Sequence, residues 1–137
     1  MRFRSMAVLL AVALGLPVAA RGGQPASQEE PRYDTATVFS FSAIIAEVRE
    51  VGKGGVLSGL HLIVTNEKEE RVEVYVAPTQ FLRDLQVSYA VGYRLEITGS
   101  KVRLGSGTIV LAREIRHDVD TAYFRDTRGR PYWGATT

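Results

Sequence analysis

Two histidines are the first side chains in this sequence to weigh as chemistry. His117 is followed at once by Asp118 and then by Asp120, an imidazole and two carboxylates that together could hold a divalent cation and serve a metal-assisted hydrolase. A catalytic zinc centre needs three protein ligands in fixed geometry, and a short His/Asp run at a solvated strand end has the same composition. The strand end is the expectation, with no metal and no cofactor. His61 stands alone. No serine sits in a recognisable strained nucleophile turn and no Ser-His-Asp order is visible, so no catalytic residue is assigned and the chain is read as a non-enzyme. The chain has no cysteine, which excludes thiolate catalysis, thiolate metal sites, disulfides and a lipidated-cysteine anchor.

Anion chemistry has two candidates. Gly52-Lys53-Gly54-Gly55 offers glycines beside a lysine, but it lacks the first glycine, the spacing and the Lys-Ser/Thr ending of a phosphate-binding loop, so it reads as a mobile turn. Arg94, Lys101, Arg103, Arg113 and Arg116 lie on two late strands with Glu96 and Glu114 interleaved, which cross-strand ion pairing explains. The charge balance agrees. Lys+Arg number 17 against Asp+Glu 15, and loss of a leader carrying Arg2 and Arg4 leaves a neutral chain without the positive field that draws nucleic acid.

These residues need a scaffold, and its dominant period is two. Between Thr35 and Val51, Phe39, Phe41, Ala43 and Ile45 share one face, with Val38, Ile44, Ala46 and Val48 on the other. A long strand apolar on both faces suits a barrel in which one strand curls to pair with two neighbours. Leu60, Leu62 and Val64 alternate with His61, Ile63 and Thr65; after Asn66-Glu67-Lys68-Glu69-Glu70, Val72, Val74 and Val76 alternate with Arg71, Glu73 and Tyr75. That is a hairpin with a solvated charged turn. Pro78 opens a short helix with Phe81, Leu82 and Leu85 on one face, placed to plug a barrel end. A fourth strand begins at Gly92, permits a bend at Gly99-Ser100 and runs through Arg103; a fifth spans 108 to 116.

Long bent strand, hairpin, short helix and hairpin give an all-β fold: a five-stranded OB-fold-like Greek-key barrel with a short helix between strands 3 and 4. Its C-terminal extension, Phe124 to Trp133, contains Arg125-Asp126, Gly129, Pro131 and Trp133. With Gly92 to Ser100 and Pro78 to Gln86, this strand-turn-Pro-x-Trp tail resembles that of small exported bacterial OB-fold proteins, uncharacterised and sometimes labelled DNA-binding. The resemblance implies the fold and carries no activity. Tyr123, Phe124, Tyr132 and Trp133 with Arg125, Arg128 and Arg130 could stack bases, but an aromatic tail that covers an open barrel edge is the expectation.

The N-terminus sets the compartment. Arg2 and Arg4, the apolar run Met6 to Leu16 and Val18-Ala19-Ala20 read as a signal peptide over residues 1–20, since the run is shorter than the about 20 residues of a spanning helix. Residues 21–34 are polar and read as a flexible leader. The OB-fold-like domain follows over 35–133, with 134–137 as a tail. The expected location is exported, periplasmic or secreted, with no transmembrane segment after cleavage. The expected function is a binding module for a protein, peptide or envelope ligand. Its ligand-binding residues are taken from the outer face of strands 2 and 3, where such barrels commonly bind, and from the preceding loop: Lys53, His61, Ile63, Arg71 and Tyr75. Single-stranded nucleic acid or another polyanion is the alternative, and the hydrolase the second.

Overall fold

The computed structural model describes residues 30–134. The signal peptide expected over 1–20, most of the leader and the last three residues of the tail lie outside the described residues. A 3-10 turn at Thr35–Thr37 leads into β1 (Val38–Val51), β2 (Gly59–Asn66), β3 (Arg71–Ala77), α1 (Thr79–Leu85), β4 (Arg94–Leu104), β5 (Gly107–His117) and β6 (Asp120–Tyr123). The sheet order is β3-β2-β1-β4-β5-β6, and a parallel β3–β5 pairing closes the first five strands into a barrel. β6 is bonded outside the ring.

β1 is long enough to serve two neighbours. Val38 to Ile44 pair with β4, while Ala43 to Val51 pair with β2 across an irregularity between Ile45 and Glu47. Such a bulge bends a strand and lets it turn a barrel corner. β4 has its own irregularity between Thr98 and Gly99. Glycine is required there by space: a Cβ on Gly99 would lie 2.4 Å from the Leu111 carbonyl oxygen.

Inward residues of alternate positions make the core. Ala43, Ile45, Leu62, Val64, Val74, Val76, Leu95, Ile97, Val110 and Ile115 are all buried in one cluster. Leu82 of α1 and Phe124 of the extension join it. The helix therefore closes the end of the barrel where β3 finishes and β2 starts, as expected, although Leu85 is exposed and only Leu82 is fully inserted. Gln86 ends the helix in the left-handed conformation, its N–H donating to the carbonyls of Arg83 and Leu82.

Residues 30–34 were expected within the flexible leader, yet they are attached to the barrel. The Asp34 N–H donates to Ser100 Oγ at 2.9 Å, and Ser100 Oγ donates back to the Asp34 carbonyl at 3.0 Å. Tyr33 packs against a second apolar cluster of Leu57, Tyr75, Ile109 and Leu111. Composition alone hid this, because Tyr33 is one apolar ring in a polar stretch and its partners lie far along the chain.

The second cluster lies on the outside of the β3–β5 seam. Trp133 caps it, with its ring 6.2 Å from that of Tyr75 and 5.5 Å from that of Phe81. The aromatic tail thus covers the sheet, as expected, with Phe124 wholly buried and Tyr123 and Tyr132 left exposed. Arg125 lies between the rings of Tyr33 and Trp133, 5.7 and 5.1 Å from their centres, and donates to the Gly129 carbonyl at 2.9 Å. Burial pulls the Arg125 pKa below the ordinary arginine value, while Tyr75, Tyr33 and Glu30 oppose that shift.

Candidate binding site at the barrel mouth

The outer face of β2 and β3 is not the open surface that alternation suggests. Tyr75 is 3% exposed and donates its hydroxyl to the Ser58 carbonyl at 2.9 Å. His61 is equally buried, with Nε2 donating to the Leu57 carbonyl at 2.7 Å and Nδ1 2.8 Å from Glu73 Oε2. Ile63 is buried as well. Alternation placed these side chains outward correctly. What covers them is the β1–β2 connection, whose Leu57 is buried against Tyr75 with a positive φ of 57°, and Trp133 of the tail. Of the five expected ligand residues, only Lys53 and Arg71 are exposed, and they lie on different parts of the barrel.

The metal and anion candidates resolve into local structure. His117 stacks on Tyr93 with ring centres 4.1 Å apart, and its Nε2 is 3.7 Å from the exposed Asp118 carboxylate. No metal-binding cluster is present among the described residues. Asp118, with φ at 57°, makes the turn into β6. That short strand escapes sequence inspection because Val119, at its turn, is 92% exposed and breaks the apolar pattern. Arg116 pairs with Glu96 across β4 and β5 at 3.1 Å, and Arg113 lies 3.4 Å from Glu114. Lys101 does something else.

Lys101 stands at the mouth of the barrel, the end opposite α1. Its β4 position puts it across from Val110, so it shares the inward face. Here the first inward residues of β1, Phe39 and Phe41, stack with ring centres 4.9 Å apart and planes 12° from parallel. They form one wall of a cavity of about 580 Å³ with Val72 and Val110, rimmed by Lys68, Arg71, Lys101, Glu67, Glu70 and Glu73. That volume falls within the range typical of ligand sites, about 300–1,000 Å³. Arg71, expected on the β2–β3 face, belongs to this rim.

Rim charges are not equally free. Glu73 is held by His61, and Glu70 Oε1 accepts from Asn66 Nδ2 at 3.0 Å. Arg71 is 3.7 Å from Glu47. Among the described residues, Lys68, Lys101 and Glu67 have no ion-pair or side-chain hydrogen-bond partner. Phe39 could have been identified from sequence as the inner-row residue nearest the start of β1. Lys101 could not, because an inward lysine is acceptable only where the barrel opens to water.

A closed, five-stranded OB-fold-like ring with an apolar, charge-rimmed mouth defines a class by its fold: a small β-barrel protein. The model of the MamS/MamX magnetosome protein family matches residues 37–122. The chain belongs to that family. The match takes in the whole ring of five strands and stops before the C-terminal motif; a small bacterial family with an OB-fold-like barrel is consistent with the resemblance drawn from that motif, but the particular group it suggested is not confirmed. No curated protein and no solved structure matches the chain.

Proposed function

We propose that this chain is a non-enzymatic binding module that works outside the cytoplasm, in the cell envelope or a magnetosome compartment, and receives a protein segment in the mouth of its barrel. The observation that carries this is the mouth itself. It combines a stacked Phe39–Phe41 wall, an aliphatic floor and a rim with cations and anions in equal number, three of each. An apolar recess with a mixed-charge rim matches a peptide better than a polyanion, which needs one sign of charge throughout. The MamS/MamX family name supports the magnetosome setting, and the basic, apolar and small-residue order of residues 1–20 supports export. No helix among the described residues is long and apolar enough to cross a membrane.

A photo-crosslinking residue placed at Phe39, with a second at Lys53 as comparison, tests the site in the native host. A discrete crosslinked protein from position 39 that disappears on Lys101→Glu is the expected result. Crosslinks from position 53 alone would return the site to the β1–β2 loop and reject the mouth.

A further inference from the structure

The barrel seam is incomplete at the mouth. β3 and β5 are joined only at Val74–Val110 and Tyr75–Leu111. β3 has β2 on its other edge and β5 has β4 on its other edge. Arg71–Glu73 and Gly107–Ile109 therefore carry, among the described residues, no ladder partner on the sides that face one another. Arg71–Glu73 with Thr108 and Ile109 line the cavity. Unpaired strand edges are templates for a further strand, and folded proteins normally cover or blunt them. The second apolar cluster covers the seam from Tyr75 and Ile109 onward, whereas Arg71, Gly107 and Thr108 at its mouth end are exposed.

We propose that the occupant of the mouth is an extended acidic-apolar peptide of a partner protein, which pairs its backbone with these free edges of β3 and β5. This rests on the mouth being the binding site and adds the mode and chemistry of recognition. A segment of three or four residues, at about 3.3 Å each, matches the length of Arg71–Glu73 and of Gly107–Ile109, whose alternate residues turn their N–H and C=O toward the free edges. Alternate side chains of such a segment point into and out of the barrel. An inward aromatic or aliphatic residue meets Phe39, Phe41 and Val110, and a flanking carboxylate meets Lys68 or Lys101. The charge preference follows from what is already committed: Glu73 to His61 and Glu70 to Asn66. The rim cations Lys68 and Lys101 then face only one uncommitted carboxylate, Glu67.

The test is a titration of the purified full chain with a capped hexapeptide alternating Asp with Phe or Val, against a Lys-for-Asp peptide of equal length, followed by amide chemical shifts and amide hydrogen exchange. The expected result has four parts: binding of the acidic peptide, slowed exchange among the amides of residues 71–73 and 107–109, at least tenfold weaker binding to Lys101→Glu, and weaker binding of the basic peptide. Lys68→Glu is a second exposed variant with the same expectation. If shifts centre on Phe39 and Phe41 but the edge amides exchange as before, backbone pairing is wrong and the mouth remains a binding site. If neither peptide shifts any mouth resonance at millimolar concentration, or both bind equally, the acidic-apolar assignment fails, while crosslinking from position 39 still decides separately whether the mouth is used.

Discussion

Tyr75 shows how one residue changes role with its surroundings. Its position in the alternation suggests a ligand-facing ring, but Leu57, Ile109, Leu111 and Trp133 enclose it. Burial pushes the Tyr75 phenol up to about 12 from an ordinary value near 10. The unfolded chain ionises first, so stability from keeping Tyr75 neutral is complete below about pH 10 and is lost as pH rises toward about 12. Denaturant midpoints across that interval should fall less for Tyr75→Phe than for the parent chain; parallel curves would mean the ring is solvated. Gly129 supplies a second prediction. With φ at 91°, its missing Cβ leaves room for the Tyr33 ring, and a Cβ would lie 2.2 Å from that ring. Gly129→Ala should cost about 2–4 kcal/mol, whereas Gly54→Ala, also at positive φ but in open space, should cost about 1 kcal/mol. Equal losses in urea titration would show that Tyr33 is not docked.

Among the elements, the β2–β3 hairpin is the most legible in sequence and the most informative to perturb. Its inward row was readable because burial on one face enforces period two. Leu62 is fully buried, and Leu62→Ala should lower stability by about 2–5 kcal/mol. The turn behaves differently. Asn66 Oδ1 accepts from the N–H groups of Lys68 and Glu70, both at 2.9 Å, so Asn66 organises a segment that charge pattern alone would present as merely solvated. Glu69 has a φ of 64°. Glu69→Gly should therefore stabilise by about 0.5–1 kcal/mol, and Glu69→Ala should be near neutral. Guanidinium midpoints check all three, and a destabilising Glu69→Gly would contradict the turn geometry.

For the whole molecule, charge and compartment decide between partners. If residues 1–20 are removed, leaving a neutral chain, and the mouth takes a peptide as proposed, few counterions are released and binding should weaken only modestly between low and near-physiological salt. A single-stranded oligonucleotide bound at micromolar affinity, with a steep salt slope that Lys53→Ala or Arg71→Ala flattens by about one unit each, would instead establish the polyanion alternative. Fusion of residues 1–20 to a reporter should deliver it to the exported fraction, with the mature N-terminus near Arg21. A mature mass that retains Met1 would reject cleavage.

The sequence by itself determined the five strands of the ring, the helix between β3 and β4, the residues that share a face along β1 to β4 and the doubly paired β1. Each follows from local periodicity, and periodicity reports which residues share a face. Tertiary structure alone decided which faces stay wet. His61 and Tyr75 point outward as their spacing requires, but Leu57 and Ser58 fold over them, and Trp133, more than fifty residues beyond Tyr75, seals the cluster. The same holds for the mouth: Phe39, Lys68, Lys101 and Val110 come together only when the parallel β3–β5 seam closes the ring. Such closure is invisible locally, because it depends on pairing between strands that neither adjoin in sequence nor share a turn.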